Sequence, residues 1–173
     1  MNLDKYLDEY RHQMQSGDSI IWGAGGFVGY LIAPFCKGLS HVSTIVRVDE
    51  LDVDRVYITE ANLPGIQFNS LTERIRAHNG KVWWLPLKPE YDAYRQAIRK
   101  WAMEHIGKKY DIWAIPVQIW RRVNANARKM FCSEFDFLAK KASGIPELQE
   151  IVKAPKPHHT EGFGINEERI RLK

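Results

Sequence analysis

Cysteine is scarce in this chain: only Cys36 and Cys132 are present, far apart in the sequence. Two thiols at that separation make neither a disulfide framework nor the paired spacing of a structural zinc site, so reduced thiols in a reducing compartment are expected. Long apolar runs are missing too. No stretch reaches the length needed to span a bilayer, and residues 1–16 are charged throughout and lack the apolar centre of a secretory leader. The sequence as given reads as soluble and cytoplasmic, or as periplasmic or extracellular if a leader has been removed; membrane contact is not predicted. Neither internal repeats nor low-complexity tracts occur. Charge of one sign does not dominate: 25 basic and 21 acidic residues are mixed along the chain, for a net +4, a surface with only a weak bias towards anionic partners. Six Trp beside basic residues raise the idea of base stacking, but no run has the form of a nucleic-acid module and most Trp lie in apolar segments, so no nucleic-acid partner is expected.

What is present is enough apolar material for one core. With 45% hydrophobic and 12% aromatic residues in 173, the chain reads as a single domain over 1–173. Leu3, Tyr6, Leu7, Tyr10 and Met14 recur at helical spacing, which predicts an N-terminal amphipathic helix within 1–16. A short strand is expected over 19–22. The glycines at 23, 25 and 26 follow as a tight turn, because they lack the lysine and hydroxyl of a P-loop and the spacing of a dinucleotide fingerprint. An apolar helix over 27–35 then ends near Cys36, taken as buried and inert. β-branched density predicts strands over 41–48 and 55–59, paired as a hairpin through the acidic turn 49–54, with a third over 65–68. Ser70 and Glu73 make a capping box that opens a helix ending at Asn79-Gly80. A strand over 81–87 and a helix from Glu90 to Gly107 follow, then an apolar stretch over 111–120 broken by Pro116, a polar loop over 121–129, and a helix over 132–142. The tail 154–173 reads as a C-terminal extension of loop and a short helix. Strands grouped before helices argue for the α+β class, a small antiparallel sheet or partial barrel packed against helices.

A thiol nucleophile needs a lowered pKa, a base within reach, and a group that fixes the base's tautomer. Cys132 stands at the expected start of a helix, where unpaired N–H groups and the positive end of the dipole would stabilise a thiolate and receive an oxyanion. His41 stands at the entry of a strand, aimed across the edge of the sheet. Glu60 ends the neighbouring strand, and the hairpin brings it to the same end as His41, as an orienting carboxylate requires. Taken singly, each has a plain structural reading: a buried thiol, a core histidine, a turn cap.

The segments Gly17-Asp18-Ser19-Ile20-Ile21, Ser40-His41-Val42, Tyr57-Ile58-Thr59-Glu60-Ala61, Gly107-Lys108-Lys109-Tyr110-Asp111 and Phe131-Cys132-Ser133-Glu134-Phe135, in this order, resemble the YiiX/YebB-like branch of the NlpC/P60 superfamily, over about residues 17–145. That branch has a circularly permuted papain-like fold in which the histidine strand precedes the cysteine helix. The resemblance implies that Cys132 attacks an acyl carbon, that His41 takes and returns its proton, and that Glu60 orients His41. It places Tyr110 beside the nucleophile as a substrate contact; Asp18 also matches a family position, but a turn or cap role is expected of it rather than catalysis. Glu134 would face away from the sulfur in a structural pair. The chain departs from the family pattern at His158-His159-Thr160, where relatives carry a Thr-Pro segment; with no third ligand in reach this pair reads as a solvated loop, and no metal or cofactor is expected.

Three functions follow. The first is hydrolysis of an amide in a cell-wall-type or other small peptide through a thioester. The second keeps the triad but resembles the lecithin:retinol acyltransferase group, with acyl chains held along residues 112–120, although a buried helix is the favoured reading of that stretch. The third is a binding module without turnover. Sequence does not set the substrate or the oligomeric state.

Overall fold

Period-two alternation with apolar residues on both faces marks a sheet covered on both sides, and that sheet organises the chain. The structure, a computed structural model, describes residues 6–25, 38–48, 55–62, 65–108, 127–151 and 157–173. The helix expected over 27–35, Cys36, the turn 49–54, Tyr110, the stretch 111–120 and the first part of the loop expected over 121–129 lie outside the described residues.

Strands β1 (Ser19–Gly23), β2 (Leu39–Val46), β3 (Tyr57–Asn62), β4 (Gly65–Ser70), β5 (Val82–Leu85) and β6 (Ile170–Arg171) form one open antiparallel sheet in the order β4-β3-β2-β1-β5-β6. The class is α+β, and the sheet is open among the described residues rather than a partial barrel. Pleating sends Ile20, Trp22, Ile45 and Ile58 to one face, where they pack with Tyr6, Met14, and Leu71 and Ile75 of helix α1 (Leu71–Ala77). Helix α1 opens on the expected cap, with the Ser70 hydroxyl accepting from the Glu73 N–H at 3.5 Å. The opposite face carries Ser19, Thr44, Val46 and Ala61 and is covered by helix α3 (Ala127–Ala142), with α2 (Arg95–Glu104) packed against α3 and a short α4 (Pro146–Gln149) after it.

Several elements depart from the sequence reading. Among the described residues the N-terminal helix is a single π-helical turn, Tyr6–Tyr10, whose Tyr6 and nearby Met14 reach the core. The helix from Glu90 opens as a 3-10 turn, Pro89–Tyr94, before α2, and the chain leaves it at Gly107, whose φ of +77° suits glycine and whose N–H donates to Ile66 of edge strand β4 at 2.9 Å. Helix α3 starts at Ala127, five residues earlier than expected, so residues 127–129 of the expected loop are helical and Cys132 lies inside the helix. The C-terminal extension is part of the sheet: the backbone expected as loop at 158–160 lies in a 3-10 turn, Pro157–Phe163, and β6 pairs with β5 while Leu172 enters the core. A two-residue strand carries too little periodicity to be read from sequence; its pairing partner defines it.

Asp18 ties these parts together. Its buried carboxylate accepts from the Gln15 N–H (3.0 Å), Trp84 Nε1 (2.9 Å), the Leu87 N–H (2.9 Å) and Arg95 Nη1 (2.7 Å), joining the N-terminal turn, β5 and α2. The bond to the Gln15 N–H fits the turn or cap role expected of Asp18, and the bonds to Trp84, Leu87 and Arg95 make it an anchor between elements, which was not expected. Asp18→Ala would leave the Trp84 and Leu87 N–H groups without their acceptor and the largely buried Arg95 with Asp92 as its remaining carboxylate, and should cost about 1–3 kcal/mol of unfolding free energy for each orphaned donor. Urea unfolding followed by tryptophan fluorescence measures this; a loss below about 0.5 kcal/mol, the range of ordinary surface changes, would refute the anchoring role.

Candidate active site

The site forms where β2 and β3 part. Their ladder runs from Val46↔Tyr57 to Thr44↔Thr59 and goes no further, although both strands continue to Leu39 and Asn62. The Ile45 N–H donates to Asp18 on the β1 side, so by alternation the Val42 N–H points towards β3, where no ladder partner meets it. Cys132 of α3 takes that place: its sulfur accepts from the Val42 and Ser133 N–H groups and hydrogen-bonds His41. Three expected site residues, Cys132, His41 and Glu60, therefore come together; Tyr110 lies outside the described residues.

His41 Nε2 lies 2.8 Å from Glu60 Oε2, which leaves Nδ1 as the nitrogen for the thiol. His41 sits in a central strand, so the ring is reached from the end of the sheet and not across its edge, as the sequence had suggested. Glu60 is fully buried and held on three sides. Besides His41, it accepts from Asn69 Nδ2 of β4 at 2.8 Å and from Arg74 Nη2 of α1 at 3.2 Å, while Arg74 Nε stands 2.8 Å from Oε1 at an angle too poor for a hydrogen bond. Arg74 and Asn69 escaped the sequence reading. An asparagine inside a strand was a signal, since Asn is depleted there, but nothing local pointed Arg74 at Glu60.

Charge favours a thiolate-imidazolium pair. Burial alone would raise the Cys132 thiol, but the His41 charge and hydrogen bond, with the Val42 and Ser133 N–H groups, bring it below its ordinary value. Burial would likewise lower His41; the charge and hydrogen bond of Cys132, then those of Glu60, outweigh it and raise the imidazole to about 9. For Glu60, burial opposes ionisation, but the hydrogen bond and charge of His41 and the charge of Arg74 bring the carboxyl down to about 2. The helix-start argument for Cys132 is corrected here: the thiol is the sixth residue of α3, and a strand amide takes the part assigned to the helix end. Glu134 makes no ion pair among the described residues, and burial raises its carboxyl.

A second buried network sets the roll of α3. Asp136 accepts from Ser19 Oγ (2.9 and 3.0 Å) and Thr44 Oγ1 (2.9 Å), and Lys140 Nζ donates to Asp136 Oδ2 (3.0 Å) and Ser19 Oγ (2.5 Å). Ser19 and Thr44 are directly opposed across β1 and β2, and Asp136 and Lys140 stand one and two turns beyond Cys132 on the same helix face. Fastening that face to the sheet turns the thiol towards His41. Sequence reasoning had passed over this pair.

No cluster of three or more His, Cys, Asp or Glu suited to a metal occurs among the described residues, and no helix there is long and apolar enough to cross a membrane. Set against known proteins, the chain matches no family profile and no curated protein.

Two outcomes are expected. Iodoacetamide should alkylate Cys132 below the pH of about 8.5 at which a free thiol half-ionises, and in His41→Ala the buried thiol should titrate above that value. Mass spectrometry of each cysteine against pH reads this, and an ordinary titration unmoved by the substitution would exclude the ion pair. Asp136→Ala, which strands the Lys140 charge, should cost about 3–5 kcal/mol in urea unfolding, whereas Asp136→Leu with Lys140→Met should recover most of it; equal losses in both would contradict a paired network.

Proposed function

We propose that this chain is a cysteine hydrolase acting through a thioester acyl-enzyme, of the permuted papain-like kind typified by the YiiX/YebB-like branch of the NlpC/P60 superfamily. The observation that carries the proposal is the relay Cys132, His41, Glu60, closed on its far side by Arg74 and Asn69. The chain order of histidine strand before cysteine helix accords with the permutation.

In this reading the Cys132 thiolate adds to the acyl carbon, and charge developing on the acyl oxygen meets N–H donors beside the sulfur. His41 then passes its Nδ1 proton to the departing amine, whose bond to carbon breaks as the thioester forms. In deacylation the neutral imidazole takes a proton from water, the hydroxide attacks the thioester, and the thiolate leaves. Glu60 keeps Nε2 protonated and the ring in plane throughout. The motif order favours an amide in a small peptide, of the cell-wall type, as substrate. Lipid acyl esters are the competing substrate, and binding without turnover is the competing role.

Intact-protein mass spectrometry after mixing with peptide amides and with long-chain acyl esters decides among them. A peptide acyl adduct on Cys132, absent in Cys132→Ala and formed about 10²–10⁴-fold more slowly in His41→Ala, is the expected result. An adduct from lipid esters alone transfers the reading to acyl transfer on lipids. No adduct from any acyl donor would overturn the enzymatic reading.

A further inference from the structure

The triad stands at one end of the sheet, formed by the last residues of β1 and β3 and the first of β2 and β5. At this same end, beside β1 and β5, lies an open groove of about 590 Å³ lined by Gly23, Gly80, Lys81, Trp83, Arg171 and Lys173 among others, with no acidic side chain among the described residues of its lining. We infer that this groove is a subsite for an anionic group on the substrate, a carboxylate or a phosphate, carried on a linker that reaches from the acyl carbon at Cys132.

The groove's position ties it to the triad from two sides. Trp22 pairs with His41, so Gly23 is the next residue along β1; Gly38, also in the lining, is three residues from His41, roughly 10 Å of strand. Helix α1 makes the second link. Its Arg74 holds Glu60, while the residues just past its end form the groove wall, fastened by Lys173 Nζ to the Ile75 and His78 carbonyls (3.1 and 2.6 Å) and by His78 Nε2 to the Gly23 carbonyl (3.1 Å). A Cβ at Gly80 would stand 2.6 Å from the Ala24 carbonyl oxygen, so glycine keeps this wall closely packed.

The charge is available. The Lys81 carbonyl accepts from the Gly23 N–H at 2.7 Å, while its ammonium makes no hydrogen bond or ion pair among the described residues. Arg171 spends Nε on the Lys173 carbonyl (3.1 Å), which leaves its two terminal nitrogens without a described partner and able to grip a planar or tetrahedral anion. Acidic side chains gather elsewhere: Glu161, Glu167 and Glu168 line a separate groove of about 400 Å³ beside Leu85, at the opposite end of β5. The two grooves give the sheet a basic end and an acidic end, and the basic end holds the nucleophile.

This inference rests on the cysteine-hydrolase reading, and the test separates the two. The probes are iodoacetamides whose amide nitrogen carries a linker of increasing length ending in a carboxylate, a phosphate or a methyl group, with alkylation of Cys132 read by mass spectrometry. At one range of linker lengths an anionic probe should react roughly tenfold faster than the methyl probe. That preference should vanish in Lys81→Glu/Arg171→Glu, and in the parent protein at high salt. The methyl series should stay unchanged in the variant, and Lys81→Gln/Arg171→Gln serves as the milder second variant. Whether carboxylate, phosphate or both gain speed identifies the anion. Equal rates for charged and methyl probes, or a preference that survives both variants, overturns the subsite while leaving the triad standing. Failure of Cys132 to react even with plain iodoacetamide would overturn the hydrolase reading, and the subsite with it.

Discussion

The buried bonds between α3 and the sheet decide whether this molecule has a reactive centre. Asp136 and Lys140 are each almost wholly excluded from solvent, and a charge so placed is tolerable only when its hydrogen bonds are complete. Ser19 and Thr44 complete them. The requirement is directional, whereas apolar packing of Phe135 and Phe137 would permit the helix to roll. A rolled helix would take Cys132 away from the Val42 amide and the imidazole, so a polar network remote from the chemistry supplies its geometry.

The second constraint is electrostatic. Glu60 is buried at the end of a strand and remains ionised because His41, Arg74 and Asn69 meet it from three elements. Its charge supports the proton on His41, and that proton supports the thiolate. Arg74 is partly exposed and belongs to α1, and Asn79 and Gly80 just past the end of that helix line the basic groove, so any movement of that helix end would reach the groove and the orienting carboxylate together.

The divergence of β2 from β3 joins these two effects. An intact ladder would engage the Val42 amide and close the space that the thiol occupies. Its early end, at Thr44↔Thr59, opens a strand amide and admits the helix. Residues 41–44 give no sign of this break, but Thr59-Glu60-Ala61-Asn62 has one β-branched residue followed by three types depleted in strands, which fits a ladder that ends at Thr59.

Sequence by itself determined the α+β class, most of the strands, the cap of α1 and the nomination of Cys132, His41 and Glu60, because periodicity, capping chemistry and residue type are local properties. It also contained, unread, a polar stripe of Cys132, Asp136 and Lys140 at steps of four along an apolar helix. Tertiary structure alone decided the rest. Helix α3 began earlier than its polar lead-in suggested, so the thiol's amide donor came from a strand instead of a helix end; β6 existed only as a partner for β5; and Arg74 and Asn69 became ligands of Glu60 because β4 and α1 fold back over β3. These are contacts between residues distant along the chain or across separate elements, whose energies arise only when the elements are brought together, and no pattern within one segment encodes them.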